Sequence, residues 1–341
     1  MAKNPTCAEA DLPRQIRVSI GSAIVLGLLE GKLDAAPTTA YLMTYRTGKC
    51  TANCLFCPQA RTSQANSKLL SRVSWPAFAT KQVAQKIGNA SATQRIKRVC
   101  IQALNYPEVC IHLAALVKEI KRHANVPISV SCQPLNSGNM RLLAEAGADR
   151  IGIALDAATE TLFNEVKGAN ANGPYTWEKQ FRQLHEALEV FGKRKVSTHL
   201  IIGLGETENE TVSLIQKCVD MDVSPALFAF TPVRGTALET KPQPPIATYR
   251  RMQVARYLIV NGHARSEDMH FDSADCLTDY GIDKEALISV VESGKPFLTS
   301  GCPDCNRPFY NEKPSGPIYN YPRNPRREEI TAIKHQLYLT P

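Results

Sequence analysis

The sequence predicts a parallel β/α barrel of the TIM type, full or partial, with a helical lead before it and a cysteine-containing coil extension after it. Three observations predict it. Short β-branched apolar runs alternate with longer amphipathic segments along most of the 341 residues, the period of parallel strands joined by crossover helices. The length suits one large barrel plus extensions. A loop dense in cysteine follows the first strand, and barrels of this kind carry their chemistry on loops after strand C-termini.

The elements follow in order. Residues 19–33 read as a helix, and 1–36 as a helical lead. Strands are expected at 40–45, 98–102, 127–131, 150–155, 196–202 and 226–230. Two shorter candidates lie at 269–271 and 296–299. Helices are expected at 75–87, 112–123, 140–146, 177–191, 208–221, 248–260 and 284–292. The barrel then spans 37–300 and the extension 301–341. Without the last two strands, the alternative is a six-stranded partial barrel with a separate C-terminal extension.

Composition narrows the class. The hydrophobic share, 43%, is that of a globular protein. No apolar run reaches the ~20 residues that cross a bilayer, so no membrane association is expected. Residues 1–14 carry charges and no apolar signal core. With eleven cysteines, a cytoplasmic chain with reduced thiols and metal ligands is expected rather than a disulfide framework. The formal charge is +8, but basic residues form no block apart from 323–327. Nucleic acid is therefore not an expected partner.

Cys50, Cys54 and Cys57 form a C-x3-C-x2-C loop, CTANCLFC. Structural zinc wants four ligands, often in spaced pairs. A disulfide set leaves an odd cysteine. Three thiolates on one short loop instead suit one face of an iron–sulfur cube, leaving one iron open for catalysis. Phe56 precedes the last cysteine and PQAR follows it. The run MTYRTGKCTANCLFCPQAR resembles the radical S-adenosylmethionine superfamily, most closely the branch around biotin synthase. The resemblance implies a 4Fe-4S cluster, S-adenosylmethionine on its open iron, and a 5′-deoxyadenosyl radical formed after one-electron reduction. It also implies an electron donor such as a ferredoxin or flavodoxin.

The same resemblance implies further site residues. Phe56 and Gln102 are expected against the cosubstrate, although the family's usual small-residue-plus-Glu pattern is absent at Gln102. Asp156, in IGIALDAAT, is expected either on ribose hydroxyls or as a helix N-cap. Gly203 and Gly205, in HLIIGLGETENE, let the backbone approach a flat ligand, with Glu206 on the rim. This turn lacks the third glycine of a dinucleotide fingerprint. FTPVRGTAL, at 230–238, is similar to a family turn that closes over adenosine.

The remaining cysteines decide the reaction. Cys302 and Cys305 form a C-x2-C after the last strand candidate, and Cys276 follows the seventh. On the barrel reading all three open onto the first cluster's mouth and hold a second iron–sulfur cluster; the alternatives are a zinc knuckle or a reducible pair. The tail CNRPFYNEKPSGPIYNYP reads as ordered coil and is similar to that of split, archaeal-type lipoyl synthases. That resemblance implies sulfur insertion into an octanoyl chain on a small carrier protein or peptide, with a second radical subunit as a possible partner. Cys100 and Cys132 end the second and third strands, where biotin synthases place ligands of a sulfur-donating cluster. The fifth strand offers Ser197, Thr198 and His199 rather than a cysteine, and buried apolar cysteines are the alternative. Cys7, Cys110 and Cys218 belong to no constellation, though Cys7 can supply a ligand. Rival classes are another enzyme of the biotin synthase branch without a second cluster, a non-catalytic metal-binding scaffold, and an RNA-modifying radical enzyme.

Overall fold

A computed structural model describes residues 11–133 and 135–339; Cys7 lies outside the described residues. In chain order the elements are β1 (Gln15–Val18), α1 (Ile20–Val25), β2 (Thr39–Thr44), β3 (Leu69–Leu70), β4 (Val73–Ser74), β5 (Ala77–Ala79), α2 (Thr80–Ala92), β6 (Arg98–Gln102), α3 (Val109–His123), β7 (Ile128–Cys132), α4 (Ser137–Glu145), β8 (Arg150–Ile153), α5 (Glu160–Val166), α6 (Trp177–Phe191), β9 (Val196–Ile202), α7 (Glu208–Asp220), β10 (Ser224–Ala229), α8 (Ile246–Val260), β11 (His270–Phe271), β12 (Leu277–Asp279), α9 (Lys284–Glu292) and α10 (Arg327–Gln336). Among the described residues no helix is long and apolar enough to cross a membrane.

Eight strands form one sheet, in the order β10-β9-β8-β7-β6-β2-β1-β5. From β2 through β10 every neighbouring pair is parallel. β1 is antiparallel to both β2 and β5. The sheet does not close, since β10 and β5 are edges. The expected eight parallel strands are thus six, with two antiparallel strands added on the β2 side. The lead holds β1 and the six-residue α1 rather than a helix over 19–33.

The two last strand candidates fail for local reasons. His270 and Phe271 turn back through Asp272–Asp275 and pair with β12 as a separate antiparallel ribbon. Residues 296–299 begin in a 3-10 turn, Lys295–Phe297, where Pro296 has no N–H to give a ladder. Residues 298–312 instead lie across the opening of the sheet. Ser300 Oγ accepts the N–H of Leu227 on β10. On the other side, Thr38 donates to Asn306 and Asp304, and Arg72 donates to the carbonyls of Phe309 and Glu312. Buried Arg250 of α8 fixes the tail further on, donating to the carbonyls of Ile318 and Tyr319.

Alternation along the strands divides the molecule into two interiors. Val99, Ile101, Ile128, Val130, Ile151 and Ile153 are fully buried under the helices, each worth about 1.5–3 kcal/mol over exposure. Helix α3 meets them with Leu113, Leu116, Val117 and Ile120, one stripe at helical spacing. The alternate residues, Cys100 and Gln102 on β6 and Ser197, His199 and Ile201 on β9, face a cavity on the inner side.

Candidate functional site

The loop after β2 is tied down by its own backbone. Leu55 N–H donates to Val166 O at 2.8 Å, and Thr51 N–H to Asn105 O at 2.9 Å. Asn53 Nδ2 donates to Ala171 O at 2.7 Å, while its oxygen accepts from Thr62. Cys50, Cys54 and Cys57 are thereby held on one turn beside α5. Two of the sulfurs already accept backbone N–H groups. Asn105 and Ala52 donate to Cys50 Sγ at 3.1 and 3.5 Å, and Gln59 donates to Cys57 Sγ at 3.4 Å. Such bonds suit thiolate ligands of a cluster. Burial pushes the Cys57 thiol up to about 12 and Cys54 higher still, with Lys167 opposing the rise at Cys54. These thiols stay protonated until a metal displaces the proton. All described cysteines are free. The chemistry of this donor set, three sulfurs on one loop with no fourth from that loop, suits the cluster expected from its spacing.

Phe56 lines the cavity beside Cys57. Asp156 lines it too, in a left-handed conformation with φ 67°. Its carboxylate accepts Lys167 Nζ at 2.6 Å, a pair buried behind the cysteine loop. It is not a helix cap; Thr159 caps α5 by accepting Leu162 N–H. Gln102 also lines the cavity, and its Nε2 donates to Cys100 Sγ at 3.0 Å. His199 is held neutral, burial pulling it down to about 4.

The turn after β9 closes on itself. The Glu206 carboxylate accepts the N–H groups of Gly203, Leu204 and Gly205 at 2.6, 3.0 and 3.0 Å. It therefore braces the turn. Gly203 has φ 104°, and a Cβ there would stand 2.8 Å from Pro244 Cδ. Gly203→Ala is expected to cost about 1–3 kcal/mol, measured by thermal unfolding.

The second group of cysteines differs from the expectation. Cys302 and Cys305 are joined by Cys100, and all three line the same cavity as Cys57. They do not share its mouth. Arg98, first residue of β6, donates to Pro303 O at 3.0 Å, and Cys302 Sγ lies 3.3 Å from the hydroxyl of Ser129, second residue of β7. The C-x2-C therefore sits towards the N-terminal ends of the strands, and the cavity runs between the two sets. Burial first, then the proximity of Cys302 and Cys305, pushes the Cys100 thiol upward. Three half-buried thiols lining one cavity are a donor set that suits a second cluster, although among the described residues no three such side chains already stand together as a metal-ion site.

Cys276 is not brought to this group. It lies in the turn between β11 and β12, its N–H donating to Asp272 Oδ1 and its charged neighbours being Glu208 and Arg251. The cause is the failed seventh strand, whose following loop never reaches the cavity. Cys132 faces the helix layer, near Cys110 of α3, because it has the opposite parity to Ser129 and Ser131. Cys218 is buried in α7. Sequence reasoning missed Tyr41, Ser129, Lys167 and Arg307. Only Arg307 left a signal, two positions after Cys305. Its guanidinium stacks 3.5 Å over Phe228 in the cavity wall.

Comparison with known proteins bears on the family and the fold. The model of the Radical SAM superfamily matches residues 44–218. Biotin synthase of Sulfurihydrogenibium sp. is 26% identical over 207 residues, covering 59% of this chain and 57% of that protein. Biotin synthase of Acinetobacter calcoaceticus is 22% identical over 266 residues, 76% of each chain. The chain thus aligns with little more than half the length of the first of these relatives. In fold it is similar to methylornithine synthase (TM-score 0.52, 13% identity, 88% of this chain and 81% of that one). It is likewise similar to the FeFe-hydrogenase maturase HydG from Carboxydothermus hydrogenoformans (TM-score 0.52, 14% identity, 79% and 68%).

Proposed function

The chain belongs to the radical S-adenosylmethionine superfamily, and from that membership we propose that it is a sulfur-inserting enzyme acting on an octanoyl chain, as a lipoyl synthase does. Membership brings a 4Fe-4S cluster and S-adenosylmethionine. Cys50, Cys54 and Cys57 would hold that cluster, and Cys100, Cys302 and Cys305 a second one. When bound, the first cluster and its cosubstrate supply a carbon radical that removes hydrogen from an unactivated carbon, and the second supplies sulfide. The observation that carries the reading is one cavity lined by Cys57 of the first set and by Cys100, Cys302 and Cys305.

The protein's own residues do the rest. Phe56, Trp75, Ile201, Phe228 and Phe230 give the cavity apolar walls, which suit an acyl chain and keep water from a reactive radical. Asp156, braced by Lys167, and the turn at Gly203, Gly205 and Glu206 position the cosubstrate. Gln102, bonded to Cys100, belongs to the sulfur-donating end rather than to the methionine moiety. The chain's +8 charge favours encounter with an acidic carrier protein bearing the octanoyl group. A ferredoxin or flavodoxin would supply electrons. A second radical subunit would make the other insertion.

Sulfur insertion by the biotin synthase relatives' branch is the coarser reading, and an enzyme of that branch with one cluster is the alternative. Mass spectrometry of an octanoylated carrier peptide after anaerobic turnover tests the choice. The expected result is a gain of sulfur with loss of hydrogen. An unchanged peptide mass with S-adenosylmethionine cleaved would sink the octanoyl assignment.

A further inference from the structure

Each sulfur at the deep end of the cavity meets one side chain able to donate a hydrogen bond. Gln102 Nε2 donates to Cys100 Sγ at 3.0 Å. The Ser129 hydroxyl lies 3.3 Å from Cys302 Sγ, and the Tyr41 hydroxyl 3.3 Å from Cys305 Sγ. The two hydroxyls have their direction fixed from behind. Arg98 Nη1 donates to Ser129 Oγ at 3.0 Å, and the Arg307 backbone N–H donates to the Tyr41 oxygen at 2.8 Å. With an arginine group occupying one lone pair, each hydroxyl proton has the cysteine sulfur as its remaining partner. The opposite polarity, S–H to O, would leave a buried hydroxyl proton without an acceptor, at a cost of about 1–3 kcal/mol. The arrangement therefore treats all three sulfurs as acceptors, which is what metal-bound thiolates are.

Simple packing of buried cysteines does not call for this. Cys132 and Cys218, both buried, lie in apolar surroundings. At Cys302 and Cys305 the donors come from β7 and β2 and their supports from β6 and the tail. Four separated parts of the chain thus converge on two sulfurs.

We infer that Gln102, Ser129 and Tyr41 are positioning residues which orient the three thiolates of a second cluster and raise its reduction potential, an inference that rests on the second-cluster reading above. Hydrogen bonds to cluster sulfurs favour the reduced, more negative state. Removing a donor must therefore lower the potential, whatever it does to activity.

The test is a redox titration followed by electron paramagnetic resonance. It uses a Cys50→Ala, Cys54→Ala, Cys57→Ala chain, which keeps only the second site, and the full chain beside it. Tyr41→Phe is expected to shift the reduction equilibrium about tenfold toward the oxidised cluster, which is 59 mV for one electron. Ser129→Ala and Gln102→Met are expected to move it the same way. Ser131→Ala, on the same strand as Ser129, is expected to leave it in place. A second cluster present with an unchanged potential in Tyr41→Phe, Ser129→Ala and Gln102→Met overturns the inference while sparing the second-cluster reading. Iron and sulfide amounting to a single cube in the wild-type chain, with none in the triple variant, overturns both.

Discussion

Replacing Cys54 with alanine is expected to abolish reductive cleavage of S-adenosylmethionine and to remove about four irons per chain. Cys54 is the buried centre of its loop, packed with Phe163, Val166 and Tyr175, and no neighbouring thiol replaces it. Cys302 and Cys305 lie toward the other end of the strands. The loss is chemical rather than structural. The loop's backbone bonds to Val166, Asn105 and Ala171 do not use the sulfur, and trimming one buried thiol costs about 1 kcal/mol. The check is iron analysis with anaerobic assay of 5′-deoxyadenosine, alongside thermal unfolding. Cys276→Ala and Cys110→Ala should keep full cleavage, since neither lies in the loop or the cavity. Retained cleavage in Cys54→Ala would remove the loop from the chemistry.

What could be read from sequence was local. The strands at 98–102 and 196–202 and the helices at 177–191 and 284–292 coincide with Arg98–Gln102, Val196–Ile202, Trp177–Phe191 and Lys284–Glu292. Each is a periodic run bounded by turn residues, so its own pattern suffices. The three-cysteine loop was legible for the same reason, since its spacing lies within eight residues. The additions β1 and β5 were not legible. Their runs, QIRV and AFA, are too short to show a period; β1 forms on the edge that β2 offers, and β5 on the edge of β1.

The second cysteine set illustrates the limit more sharply. Cys276 was grouped with Cys302 by the expectation of closed eightfold topology, and it left the group when residues 269–271 formed a ribbon. Cys100 and Cys132 were indistinguishable as strand-end cysteines. Pleat parity separates them, placing Cys100 with Gln102 on the inner face and Cys132 with Val130 under the helices. Parity is readable only once the sheet's two sides are known. Arg98, Ser129 and Tyr41 were invisible because their role depends on a tail more than 160 residues further along the chain.

Cys302→Ala is expected to separate the two halves of the reaction. The variant should keep the cleavage that depends on Cys50, Cys54 and Cys57, because the C-x2-C makes no hydrogen bond to that loop. It should lose the second cluster's iron and sulfide, and sulfur-bearing product should fall below detection while 5′-deoxyadenosine continues to form. Cys100→Ala should behave alike, since its thiol faces Cys302 and Cys305 closely enough for both to raise it. Cys132→Ala should retain product, its thiol lying instead near Cys110. The pair of variants on β6 and β7 therefore discriminates a ligand set built from the tail and one strand from a set built on strand ends alone. Folding does not confuse the result, because the tail's anchors are the Thr38, Arg72 and Arg250 bonds rather than Cys302 itself. Iron and sulfide counts, deoxyadenosine and peptide mass, read on the same samples, decide it. Sulfur-bearing product from Cys302→Ala at the wild-type rate would mean that sulfide comes from elsewhere and that these three cysteines serve the fold.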